Sequence, residues 1–127
     1  MTAQDIIDTA LSLSAENPQD FQDKDMCIKW LNMAMAESFR TENRIRQKNG
    51  RKPLEKPLTV SRLYEEVDMN RLLCSLCLPL GVAAYVYADK EEENFYSVYR
   101  QRFLDSLQRA AGAQETTIAD CYGPEVM

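Results

Sequence analysis

Two closely spaced cysteines are the first residues whose type and spacing could support chemistry. Cys74 and Cys77 form a Cys-x-x-Cys motif, which occurs in zinc sites and in redox-active pairs. A structural zinc site needs four ligands, but Cys27 and Cys121 are isolated and the chain has no histidine. The motif also lies within a long apolar run. We therefore favour buried small side chains over a metal or redox role for this pair.

The absence of histidine also limits catalysis, because histidine is the usual general base near neutral pH. It excludes Ser-His-Asp and Cys-His catalytic arrangements. The three glutamates at positions 91–93 are typical of the first turn of a helix, and the four glycines form no phosphate-binding loop. The sequence therefore predicts a protein that is not an enzyme, with no catalytic residue, no cofactor and no bound metal.

The charge is unevenly distributed along the chain. The formal net charge is −5, yet residues 40–62 carry eight basic and two acidic side chains between acidic flanks. The acidic total disfavours a free-standing nucleic-acid-binding domain, which is usually basic. The basic segment can be a solvated mobile loop, a contact for nucleic acid phosphates, or a contact for an acidic partner such as a second copy. Its predicted partner-binding residues are Arg44, Arg46, Lys48, Arg51 and Lys52.

The hydrophobic pattern predicts an all-α protein, a small bundle of about four helices with a long basic loop and an extended C-terminal tail. Thr2 and Asp5 have capping-box spacing at the start of the first helix. The acidic stretch 20–25 precedes a second helix that reaches at least Phe39 and can run on to Arg46. Residues 47–60 are then a loop, and residues 58–64 form either a strand or a helical turn.

A nearly continuous apolar run over residues 72–88 predicts a central third helix. Pro79 should kink this helix or divide it into two. The run is too short for a membrane span and is interrupted by Pro79 and Gly81. Its apolar surface exceeds what a small bundle can cover, so we expect part of it to face a neighbouring subunit or to lie under the last helix.

The acidic stretch from Asp89 to Glu93 starts the last helix, which should stop at Gly112. This boundary divides the chain into a helical domain, residues 1–112, and a C-terminal arm, residues 113–127. Ile118, Tyr122 and Val126 are four residues apart in the arm. We expect the arm to be extended and these three side chains to anchor it on a partner.

Several local patterns occur together in a recognisable order. They are the Trp30-Leu31-Asn32 segment with Ala34 and Glu37, the basic proline-containing loop, the acidic segment 64–68, the Leu78-Pro79-Leu80-Gly81 segment, and Tyr96, Tyr99, Arg100 and Phe103 in the last helix. Over residues 3–110 this order resembles the head-to-tail connector, or adaptor, proteins of tailed bacteriophages and prophages.

The resemblance implies a virion protein of the phage neck, made in the bacterial host cytoplasm and not associated with a membrane. Such proteins assemble as a homo-oligomeric ring, commonly twelve-fold, between the portal protein and a downstream neck or tail protein. Genomic DNA passes through the ring without sequence-specific binding. The alternative is a small helical nucleic-acid-binding or regulatory protein that uses residues 40–62, and a third possibility is an enzyme accessory subunit.

Overall fold

The protein is folded into α-helices in a computed structural model that describes residues 1–21 and 23–122, with the backbone alone for 113–122. The helices are α1 (Ala3–Leu13), α2 (Lys24–Glu37), α3 (Phe39–Lys48), α4 (Leu78–Asp89) and α5 (Glu93–Tyr122). No β-strand occurs in these residues, where Thr2 and Glu66 form an isolated antiparallel bridge. The predicted all-α class is confirmed.

Side-chain caps begin the first two helices, as the sequence predicts. The Thr2 hydroxyl accepts a hydrogen bond from the Asp5 backbone N–H, and the Asp5 carboxylate accepts one from the Thr2 N–H. The second bond lowers the pKa of Asp5, because it stabilises the carboxylate. At α2 the Asp23 carboxylate accepts from the Met26 N–H. These bonds satisfy helix N–H groups that have no partner within the helix.

Helix α4 is the centre of the core and contacts α1, α2 and α5. Close packing depends on Gly81, where an added Cβ would lie 3.0 Å from Phe103 and 3.1 Å from Ala34. Most of the apolar run is therefore enclosed by helices of the same chain. Helix α5 covers part of it, which is one of the two arrangements expected from the sequence. Leu76 is the exception, with 52% of its surface exposed.

The distortion of the helix predicted at Pro79 occurs on the N-terminal side of that residue. Residues Leu73–Cys77 form a π-helical segment, in which the Leu78 N–H donates to the Leu73 carbonyl five residues earlier. Pro79 is buried at the start of α4 and has no N–H to donate. The wider turn before it accommodates the proline ring, so the chain stays helical from residue 71 to residue 89 and is not divided.

The second predicted helix is interrupted at Ser38. Its buried hydroxyl donates to the Ala34 carbonyl at 2.8 Å, and α3 begins at the next residue. A serine hydroxyl that bonds back to the preceding turn competes with regular helix geometry. The basic segment is therefore helical as far as Lys48, and the loop begins at residue 49.

Helix α5 continues past the predicted stop at Gly112 to Tyr122. Gly112 does not have the positive φ that ends a helix at glycine, and its surroundings are open. Residues 113–122 are thus helical in place of the predicted extended arm. Val126 lies outside the described residues, and so do the side chains of Ile118 and Tyr122. No helix in the described part has the length and apolar character of a membrane span.

Candidate interaction surface

Most basic side chains of residues 40–62 are exposed on α3 and the loop that follows it. We call this surface the basic face, and its members are Arg40, Arg44, Lys48, Arg51, Lys52, Lys56 and Arg62. An open cleft of about 550 Å³ lies within it, lined by loop residues 52–59 and Arg46. Four of the five predicted partner-binding residues of this segment are therefore on the surface.

Arg46 is the fifth, and the structure places it in the interior. Its side chain is 8% exposed, and its Nε lies 2.5 Å from the Glu42 carboxylate, which is fully buried. The Arg46 Nη2 also donates to the Asp68 carbonyl at 2.9 Å. Glu42 and Arg46 have the i,i+4 spacing of a helical ion pair, but charged pairs are normally expected to be exposed. Arg46 therefore supports the fold and contributes little to the basic face.

The Glu42 carboxylate also organises the start of the central helical stretch. Its second oxygen accepts the Asn70 N–H at 2.7 Å, and the Asn70 side chain accepts the Leu72 N–H at 2.9 Å. An anion beside the N-terminus of a helix is favourable, because the N–H groups there carry partial positive charge. One buried carboxylate thus connects α3 to the end of the long loop.

Two asparagine side chains hold the same loop along its length. The Asn43 amide donates to the Leu54 carbonyl at 3.0 Å and accepts the Leu54 N–H at 2.6 Å. The Asn32 amide makes the same two bonds with Val60, at 2.9 and 2.8 Å. The loop backbone is therefore fixed at three places, counting Asn70. This geometry argues against the mobile-loop interpretation, although the basic side chains themselves are exposed.

The cysteine motif is buried as predicted. Cys74 and Cys77 are free thiols inside the core, as is Cys27. Burial raises the pKa of Cys74 to about 11 and also raises that of Cys77. Among the described residues no group of three or more cysteine, aspartate and glutamate side chains could hold a metal ion. The motif is therefore part of the packing between the π-helical segment and its neighbours.

A polar cluster of Glu37, Tyr85 and Arg100 joins α2, α4 and α5, and sequence reasoning missed it. The Glu37 carboxylate accepts hydrogen bonds from the Tyr85 hydroxyl and the Arg100 guanidinium. Burial alone would raise the pKa of Glu37, but these bonds outweigh it and hold that pKa below its ordinary value. Burial, followed by the bond to Glu37, raises the pKa of Tyr85 to about 12. Both carboxylate oxygens accept hydrogen bonds, so the cluster holds the three helices together.

A second surface lies along α5. A groove is lined by Leu76, Leu80, Arg102, Asp105, Ser106 and Arg109, and we call it the α5 groove. Residues 88–95, which are the end of α4, the turn after it and the start of α5, are here called the hairpin tip. It carries three exposed glutamates and Phe95, whose side chain is exposed although its ring stacks on Tyr87. No sequence pattern indicates the groove, because Leu76 is indistinguishable from its buried neighbours in the apolar run.

The structure thus offers a rigid basic face and an apolar groove with arginines beside it. Comparison with protein-family models, with curated proteins and with solved structures finds no match for this chain.

Proposed function

We propose that this chain is a non-catalytic assembly subunit, a ring-forming head-to-tail connector between the portal and the tail of a tailed bacteriophage. The observation that carries the proposal is the basic face on a fixed backbone. The proposal puts the protein in the virion neck, with the portal protein and a downstream neck or tail protein as partners.

Rigidity favours a docking role for the basic face. Asn32, Asn43 and the Glu42–Arg46 pair fix the backbone that carries the lysines and arginines. A surface that is already ordered loses less conformational entropy on binding than a mobile loop does. Charges held in place also determine orientation and exclude wrong partners through repulsion. Both properties suit a subunit that must join neighbours in one register.

The charge pattern favours a protein partner. The whole chain carries a formal charge of −5, although the basic face is strongly positive. An acidic protein surface complements the basic face at short range, while the remainder of the chain repels a long polyanion. In a connector ring this combination would let DNA pass the channel without tight binding.

Binding to the portal protein encoded by the same genome tests the proposal. The variant Arg51→Glu with Lys52→Glu reverses two exposed charges of the basic face. We expect wild-type protein to join purified portal rings in electron micrographs and the variant to bind at least about tenfold more weakly, because like charges across an interface are strongly unfavourable. Equal binding of both proteins, or no binding of the wild type, would contradict the proposal.

The control is a matched charge change elsewhere. Lys52→Glu and Lys29→Glu alter the net charge equally, but Lys29 is an exposed residue of α2, outside the basic face. Only Lys52→Glu should weaken portal binding. Titration with duplex DNA at several salt concentrations distinguishes the connector from the alternative function. Tight binding with a steep salt dependence would favour a nucleic-acid-binding protein.

A further inference from the structure

The α5 groove combines apolar and basic side chains. Its volume is about 350 Å³, and Leu76 and Leu80 line it together with Arg102 and Arg109. Leu76 is 52% exposed, although it belongs to the most apolar run of the chain. The carboxylate of Asp105, which also lines the groove, accepts a hydrogen bond from the Gln101 amide at 2.9 Å. The two arginines outnumber this one carboxylate, so the groove suits a partner with an apolar side chain and adjacent negative charge.

The hairpin tip has the complementary character. Its glutamates at positions 91–93 are exposed, whereas Lys90 is turned towards the chain that follows α1, with its Nζ 2.5 Å from Glu16 and 3.2 Å from the Ser14 carbonyl. Phe95 is 53% exposed, and its ring is held by stacking on Tyr87 with centroids 5.1 Å apart. The tip thus combines a fixed aromatic ring with exposed acidic side chains.

The backbone of the tip is also well defined. Glu91 has a φ of 60°, and the Glu91 and Glu92 N–H groups donate to the carbonyls of Ala88 and Tyr87 at 3.0 Å each. This turn closes α4 and starts α5 within a few residues. The turn is already ordered before binding, which lowers the entropic cost of docking.

The tip and the groove lie apart on one chain and cannot meet each other. Arg102 and Arg109 lie seven and fourteen positions after Phe95 in α5, which correspond to about 10 and 21 Å of helix rise. The tip is at the end of the α4–α5 hairpin, and the groove is on its side. Complementary patches at different places on identical chains form a head-to-tail contact, which leads to rings or open chains.

We propose that the hairpin tip of one copy binds in the α5 groove of a second copy, with Phe95 over Leu76 and Leu80 and the glutamates beside Arg102 and Arg109. The occupant is a second copy because the apolar and charged parts of the tip both match the groove. This contact rests on the ring assembly proposed above, for which it would supply the seam between subunits. It uses no residue of the basic face, so self-association tests it separately from portal binding.

A charge exchange tests this contact in the full-length protein. Arg109→Glu reverses the groove and Glu92→Arg reverses the tip, and both positions are exposed. Sedimentation velocity at low salt and about 100 µM protein should show self-association of the wild type that each variant weakens by about tenfold or more. A mixture of the two variants should recover association. In the mixture the arginine introduced into the tip of one variant faces the glutamate introduced into the groove of the other, while the wild-type pairing remains at the alternate contact.

The controls separate an interface effect from a folding effect. Circular dichroism should show unchanged helical content in both variants, and Lys29→Glu should associate like the wild type. The proposal is wrong if the wild type stays monomeric, if both single variants associate as tightly as the wild type, or if the mixture associates no better than either variant alone. The Arg51→Glu, Lys52→Glu protein should still self-associate, whatever its binding to portal.

Discussion

Two carboxylate–guanidinium pairs of this protein occupy very different surroundings. Glu42 and Arg46 are neighbours on α3 with side chains 0% and 8% exposed. Glu37 and Arg100 come from α2 and α5, and each side chain is 27% exposed. The first pair fixes a loop and a helix start, whereas the second joins three helices near the surface with the help of Tyr85.

The difference shows how burial decides what a pair does for stability. Removing one partner from a buried pair leaves a charge without solvent or counter-charge, which costs far more than the pair contributes relative to apolar residues. At a partly exposed pair, water takes over much of the lost interaction. The α3 pair should therefore be the more sensitive to substitution, although its partners are only four residues apart.

The largest effect is expected from Glu42→Gln. The buried Arg46 guanidinium loses its nearest counter-charge, and the Asn70 N–H loses a carboxylate acceptor. Loss of one partner of a buried pair typically costs about 3–5 kcal/mol of unfolding free energy. Urea denaturation followed by circular dichroism measures this change. The double variant Glu42→Gln, Arg46→Met should be more stable than Glu42→Gln alone, and a further loss would contradict this account.

A smaller effect is expected from Glu37→Gln. The amide can keep one hydrogen bond to the cluster, but the charge opposite Arg100 is lost, so we expect a loss of about 1 kcal/mol after allowance for solvent screening. The contribution of Glu37 to stability should also change with pH in a predictable direction. The pKa of Glu37 lies below its ordinary value of 4.5 in the folded protein, so its contribution is complete above that value and disappears as the pH falls through the folded pKa.

Thermal melts of wild type and Glu37→Gln over this pH range check the prediction. Their difference in stability should be largest near neutral pH and should shrink as the solution is acidified below pH 4.5. A difference that grows on acidification would mean that the folded state does not favour ionised Glu37.

A local effect of similar size is expected from Asn43→Ala. The substitution removes both hydrogen bonds to Leu54 and should cost about 1 kcal/mol. Because Val60 keeps its own contacts with Asn32, amide hydrogen exchange should increase near Leu54 more than near Val60. Uniform protection of the loop in Asn43→Ala would show that the side-chain bonds do not hold it.

The smallest effect on stability is expected from reversing the exposed pair Arg51 and Lys52. Surface substitutions away from special features usually change the unfolding free energy by less than about 0.5 kcal/mol. The Arg51→Glu, Lys52→Glu protein should therefore melt within a few degrees of the wild type. A large loss of stability would show that these cations serve the fold, as Arg46 does.

Sequence reasoning found the helices better than the contacts between them. Periodicity and caps placed α1, α2, the central helix and the start of α5, since these signals lie within short windows. The break at Ser38 was missed because a serine on a helix pattern does not reveal whether its hydroxyl bonds to Ala34. The continuation past Gly112 was missed because glycine stops a helix only with a positive φ.

The candidate surface was likewise predicted only in part. Composition identified the basic residues, but not that Arg46 is buried or that the loop is fixed. Asn32 and Val60 are 28 positions apart, a separation that no local pattern reports. The α5 groove depends on which side of an apolar helix remains uncovered, and that is decided by the packing of α5.

The buried thiols make local opening of the fold measurable. Cys27 lies in α2 and Cys74 in the π-helical segment, and burial raises the pKa of each to about 11. Thiolate is therefore scarce at neutral pH, and a soluble alkylating reagent reaches these sulphurs only after the helices separate. The rate at which each cysteine is labelled thus measures how often its own region of the core is exposed to water.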